Sequence, residues 1–220
     1  MRFERELAAA LVAVMLAPLV LIAQPGADLY LSWSDKQAEA VGLQMYKKGR
    51  VGGVFDLRVL KTERSYNYKL AATWLTPEAI RATARLAQLR SRMSAEDTRA
   101  LVVEAEKAAG TVVIVEIDPR EGSGVIPNDW QAFLQPKGRP DAAVAGIRSP
   151  SLRDVRALAG VVRRNYDYDR FWVTFPLKTA AQPLFAPGDQ EAELVVRIYD
   201  KEGHVEWPIP PSMRAADGQR

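Results

Sequence analysis

The sequence predicts a mainly β fold: an immunoglobulin-like β-sandwich carrying an inserted two-helix hairpin. Three observations predict it. Apolar and polar residues alternate in several runs before residue 75 and after residue 170, the period of a strand with one buried face. One run, Thr111 to Ile117 (TVVIVEI), is β-branched and almost continuously apolar, as a strand covered on both faces must be. Residues 77–109 switch to apolar spacings of three and four, the signature of amphipathic helices. An α+β antiparallel sheet with helices on one face is the alternative architecture. The chain contains no cysteine, so the Cys–Trp–Cys pattern of true immunoglobulin domains is missing and the likeness is to the broad architecture alone.

The elements follow in order. Leu29 to Trp33 is a short apolar segment. In Ala38 to Tyr46 the alternation of Val41, Leu43 and Met45 reads as a strand, closed by Gly49, Gly52 and Gly53; Ala38, Val41 and Met45 also fit a helix. Phe55, Leu57 and Val59 alternate with Asp56 and Arg58, and Tyr66, Tyr68, Leu70, Ala72 and Trp74 alternate beyond a polar KTERS segment. That pattern reads as an antiparallel hairpin. Thr76-Pro77-Glu78 starts a helix with a hydroxyl cap, a proline in the first turn and an acid where the helix dipole favours one. Ala79, Ala82, Leu86, Leu89 and Met93 form its apolar stripe. Ser94 caps a second helix, with Asp97 three residues on, and Thr98, Leu101, Val102, Ala105 and Ala108 form the second stripe before Gly110.

Asp118-Pro119 ends the central strand. Residues 119–150 are rich in glycine and proline and read as a long irregular segment, apart from the apolar cluster Trp130, Phe133 and Leu134. A segment of that length packs as an ordered loop rather than running free. A short helix is expected from Ser151 to Val162. Phe171, Val173, Phe175 and Leu177 alternate, as do Leu194, Val196 and Ile198. Val205, Trp207 and Ile209 follow a turn in which Gly203 is available for a left-handed position. Residues 211–220 read as a disordered tail.

Residues 1–27 stand apart. Leu7 to Ala23 is an uncharged, mostly apolar run preceded by MRFERE, in which Arg2, Arg5 and the amino terminus outweigh Glu4 and Glu6, and followed by QPGAD. The charge asymmetry directs the rest of the chain across a membrane. As a helix the run spans roughly 25 Å at about 1.5 Å per residue, between a signal-peptide core and a full bilayer span. The segment therefore reads as a signal peptide or a single transmembrane anchor. The globular domain, residues 28–210, is then periplasmic or otherwise extracytoplasmic: soluble after cleavage, or anchored by residues 7–23. A net charge of +3, from 30 basic and 27 acidic residues, lacks the concentrated basic stripe of a nucleic-acid binder.

Beyond that address no motif specifies a chemistry, and the sequence implies no cofactor. The single histidine, His204, falls on the outward phase of a hairpin, whereas an imidazole base needs an orienting partner and a nucleophile. Without cysteine, zinc sites built on sulfur ligands are excluded. Asn165, Asp167 and Asp169 alternate with Tyr166 and Tyr168, so in an extended segment three oxygen-bearing side chains would share a face that suits calcium. The glycine and distal glutamate of an EF-hand are missing, and the competing reading is a solvated approach to the next strand. Glu116 and Asp118 are a carboxylate pair of the kind glycoside hydrolysis uses, or else a solvated strand end. Gly122-Ser123-Gly124 lacks the lysine and helix start of a phosphate loop.

Arg81, Arg85 and Arg92 line one flank of the helical hairpin, where they would meet anionic headgroups or be neutralised by Glu96, Asp97, Glu104 and Glu106. Trp207-Pro208-Ile209-Pro210-Pro211 has a P-x-x-P spacing and reads first as a strand terminator. Two functions remain. One is a non-catalytic interaction or structural module of the cell envelope with a membrane or envelope protein as partner. The other is a carboxylate-based enzyme or calcium or small-ligand binder centred on Asp167 and Asp169, with Trp130 or Trp172 beside the acids.

Overall fold

A computed structural model of the protein describes residues 28–51, 67–120, 126–161, 167–179 and 182–214. The apolar leader over 7–23, the predicted strand over 54–60, the glycines at 122–124, Asn165 and the last residues of the expected tail, 215–220, lie outside these residues.

The architecture is mixed α+β rather than mainly β. Among the described residues, nine strands form two antiparallel sheets: β1 (Tyr46–Val51), β2 (Asn67–Leu75), β3 (Thr111–Arg120), β4 (Gln131–Pro136), β5 (Val144–Ala145), β6 (Ile147–Arg148), β7 (Asp169–Phe175), β8 (Glu191–Ile198) and β9 (Lys201–Pro208). The larger sheet has the order β1-β2-β3-β7-β6 and the smaller β5-β4-β8-β9. The described residues also form three α-helices, α1 (Asp35–Leu43), α2 (Pro77–Ser91) and α3 (Ala95–Glu106). The larger sheet is the middle layer of three, and its alternation explains why.

On β2, Tyr68, Leu70, Ala72 and Trp74 join Val113, Val115 and Ile117 of β3 in a core shared with Leu134, Leu194, Val196, Val205 and Trp207 of the smaller sheet. The opposite phase, Leu75, Val112 and Ile114, packs with Ile80 and Ala84 of α2, Val102 and Ala105 of α3, and Leu158. The expectation that Thr111 to Ile117 is covered on both faces therefore holds, and β2 shares that environment. The smaller sheet keeps the simpler alternation. Its inner phase is buried, and its outer phase carries the polar cross-strand pairs Glu193↔Glu206 and Arg197↔Glu202.

The helical hairpin forms as its local signals predict. The Thr76 hydroxyl accepts from the Ala79 N–H and the Ser94 hydroxyl from the Asp97 N–H, each satisfying an otherwise unpaired donor. Leu89 is largely exposed rather than part of the buried stripe, and Ile80 and Ala84 take its place. Helix α3 ends at Glu106, and Gly110 sits beyond it at φ 80°. A Cβ there would lie 2.1 Å from the Phe175 carbonyl oxygen, so the glycine serves the close entry into β3 rather than the helix end.

Four readings need correction. Residues 38–43 are helical, not extended, because Ser34 and Gln37 form a reciprocal capping box that nucleates α1; the apolar alternation of Val41, Leu43 and Met45 concealed it. The segment 119–150 is not simply irregular: β4 runs through it, pairing with β8 from Gln131↔Arg197 to Pro136↔Ala192. The expected helix from Ser151 is two 3-10 turns, Pro150–Asp154 and Arg156–Leu158. In the β8–β9 hairpin the left-handed residue is Tyr199, at φ 55°, whereas Gly203 pairs with Val196 inside β9.

Within the sequence-defined tail, Pro211–Met213 is a 3-10 turn. Met213 packs against the core, and the Ser212 hydroxyl donates to Glu78 Oε1 at 2.7 Å.

The chain crosses from the smaller to the larger sheet at Gly146, between β5 and β6. A Cβ at this position would meet Val173 Cγ1 at 2.4 Å and the Phe175 ring at 2.7 Å. Gly146→Ala is expected to cost about 1–3 kcal/mol through overpacking and to lower the melting temperature by several degrees. Calorimetry of the variant checks this; an unchanged transition would mean that the crossing has room to spare.

Candidate functional site

The acids singled out by the sequence do not converge. Asp167 is exposed in the turn before β7, and Asp169 is exposed at the first position of that strand. Asp169 is opposite Ile117, whereas Glu116 is opposite Arg170. Successive residues of a strand point to opposite faces, so Asp169 and Glu116 occupy different sides of the larger sheet. The two tryptophans expected beside them are also separated. The Trp130 ring lies 5.0 Å from the Phe171 ring in an edge-on contact. The Trp172 indole donates to the Leu158 carbonyl at 2.8 Å on the helical side. Among the described residues no group of three or more histidine or acidic side chains is positioned to hold a metal ion.

Glu116 is not a solvated strand end. It is 3% exposed, and Arg170 Nη2 and Nε donate to its Oε1 at 2.7 and 3.0 Å. The remaining arm of Arg170, Nη1, donates to the Ala159 carbonyl. The carboxylate is therefore spent on a buried ion pair that ties β3 to β7. Burial, reinforced by the negative charge of Glu116, raises the Tyr46 phenol above its ordinary pKa. Asp118 is bridged to Lys69 at 3.7 Å. Nothing in the sequence around Glu116 announces Arg170, 54 residues away; only the β3–β7 register unites them.

The other candidates resolve in the same manner. His204 is exposed, with Nδ1 2.8 Å from Glu193 Oε1 and Nε2 3.7 Å from Glu202 Oε2, within a polar ladder on the outer face of the smaller sheet. Beside it, Lys137 contacts both Glu191 and Glu206; these hydrogen bonds push the lysine pKa up.

The arginines of the helical hairpin are not a bare basic stripe. Arg81 faces Glu106, Arg90 faces Glu39 and Arg99 faces Asp28, while Arg85 Nε donates to the Trp33 carbonyl. Among the described residues, Glu106 is the only one of the four acids expected to neutralise them that pairs with an arginine; Asp28 and Glu39 supply the others. The P-x-x-P stretch is not displayed as a free polyproline ligand, since Trp207 and Ile209 are each 1% exposed.

A further concavity lies away from the candidate acids Glu116, Asp118, Asp167 and Asp169. A cleft of about 590 Å³ opens where α2 and α3, the ends of β2 and β3, the loop after β7 and the C-terminal turn meet. Its apolar wall is aliphatic: Leu75, Ile80, Val112, Leu177 and Met213. Its charged side chains are Glu106, Lys178 and Arg214. The volume falls in the range of small-molecule pockets. The loop is held in shape by its own bonds, Leu184 N–H to the Leu177 carbonyl and Thr179 N–H to the Gln182 carbonyl, and Leu184 and Phe185 anchor it in the core. No local signal in the sequence could have revealed this cleft, because its walls come from segments more than a hundred residues apart.

Compared with protein-family models, with curated proteins and with solved structures, the chain matches none.

Proposed function

We propose that the protein is an exported, non-catalytic interaction or structural module of the cell envelope, held at the membrane or released from it according to the fate of residues 7–23. The observation that carries this reading is how the reactive side chains are used. Glu116 is committed to Arg170 and His204 lies against Glu193, so the residues that would serve catalysis serve the fold instead. Export rests on the leader and its charge asymmetry. A contact surface is supported by Leu29 and Val103, 66% and 53% exposed. They flank the Asp28–Arg99 ion pair: Leu29 follows Asp28, and Val103 lies one helical turn beyond Arg99. The finer description of the two-sheet core as an immunoglobulin-like sandwich belongs to the same proposal; it is supported by the antiparallel sheets that share one apolar core.

The test combines two measurements on the full-length chain. A C-terminal fusion to alkaline phosphatase, which matures only where disulfides form, is expected to be active. Co-purification from the native host in mild detergent is expected to recover an envelope protein in stoichiometric amount, and Val103→Arg is expected to lose it without changing the melting temperature. An inactive fusion would overturn export. A protein that purifies alone would overturn the interaction module.

A further inference from the structure

We propose that the cleft between the helical hairpin and the loop after β7 binds a single-chain aliphatic carboxylate, with the alkyl chain against the half-buried Leu177 and Met213 and the head group on the side of Lys178 and Arg214. The charges are the first argument. Among the described residues, Glu106 already faces Arg81 at 3.6 Å, whereas Lys178 and Arg214 make no ion pair, so the lining presents two uncompensated cations. Arg214 is the more telling. Its Nη2 donates to the Ile209 carbonyl at 2.9 Å, yet its Nε is buried without an acceptor. Arg214 as a whole is only half-buried, so the rest of its guanidinium stays accessible, and a carboxylate oxygen is the best partner a guanidinium can have.

The apolar wall decides the rest of the ligand. It is built from branched and linear aliphatic side chains, with no aromatic ring to stack on a planar group, and it lies where the two hydrophobic clusters of the protein approach each other: Leu75, Ile80 and Val112 belong to one, and Leu177 and Met213 pack against the other. A flexible alkyl chain can follow such a seam. An extended peptide is the weaker match, because the backbone groups of the loop are already paired internally, Lys178 with Pro183 and Thr179 with Gln182, which leaves less main chain free to add a strand. The inference goes beyond the envelope-module reading and stands or falls separately from it.

The test uses dodecanoate as the probe, titrated into the full-length protein below its micellar concentration and followed by calorimetry. Saturable one-to-one binding is expected. Dodecylammonium, of the same length and opposite charge, is expected to bind about tenfold more weakly or not at all. Lys178→Glu removes an exposed cation without disturbing the core, and is expected to weaken dodecanoate by about tenfold, the scale on which reversing one partly screened charge acts, with the melting temperature unchanged. Absence of dodecanoate binding overturns the proposal, as does equal binding of both amphiphiles or an unaltered Lys178→Glu affinity. Binding confined to anionic vesicles, with none to free dodecanoate, also overturns it and points to a membrane surface instead.

Discussion

Replacing Trp74 with alanine is expected to remove about 3–5 kcal/mol of folding stability, the range for deleting a large aromatic side chain from a well-packed core. Trp74 is completely buried at the centre of the interface between the two sheets. Its ring lies 5.6 Å from that of Phe185 and 5.7 Å from that of Trp207, both in tilted contacts. It therefore joins β2 of the larger sheet, β9 of the smaller one and the loop that connects β7 to β8. Its indole N–H donates to the Thr111 hydroxyl at 2.9 Å, so truncation also leaves a buried hydroxyl without its donor. Trp74→Phe separates the two contributions: it keeps most of the apolar area and loses the hydrogen bond, and a smaller loss of about 1–2 kcal/mol is expected. Urea titrations of the three proteins decide the matter. A loss below about 1 kcal/mol for Trp74→Ala would show that the sheets are not joined through this cluster.

Arg170→Ala is expected to be about as damaging, at roughly 3–5 kcal/mol, because it strands the Glu116 carboxylate in the interior. The side chains of the pair are 10% and 4% exposed, so solvent screens neither. The variant to compare is the double substitution Arg170→Met with Glu116→Leu, which removes both charges and fills the space with apolar atoms. It is expected to recover most of the lost stability, since a buried ion pair is often no better than a hydrophobic replacement, although breaking one is costly. That result would make the pair an element of register between β3 and β7. If Arg170→Ala were tolerated without loss, Glu116 would have access to water, and a chemical role for it would have to be reconsidered.

The helical hairpin was legible because its signals are local: a cap, a proline and a stripe of apolar residues lie within a few turns of one another. The β7 and β8–β9 runs were legible for the same reason, through period two. Helix α1 was misread because nine residues are too few for periodicity to separate a helix from a strand, and the Ser34–Gln37 box that decides it precedes the ambiguous run. Strand β4 was hidden because QAFLQP is short, ends in proline and lies among turn residues; it becomes a strand by pairing with β8. The candidate acids failed for a geometric reason. Asp169 and Glu116 belong to neighbouring strands in antiparallel register, and that register places them on opposite faces.

By itself the sequence determined the two capped helices, the strand buried on both faces and the lack of any cysteine chemistry, all of which depend on residues close together in the chain. The tertiary structure alone decided that the larger sheet is a middle layer, that Glu116 belongs to Arg170, and that Lys178 and Arg214 line one aliphatic cleft. Each of these is a contact between distant segments, set by strand register and sheet packing rather than by local propensity.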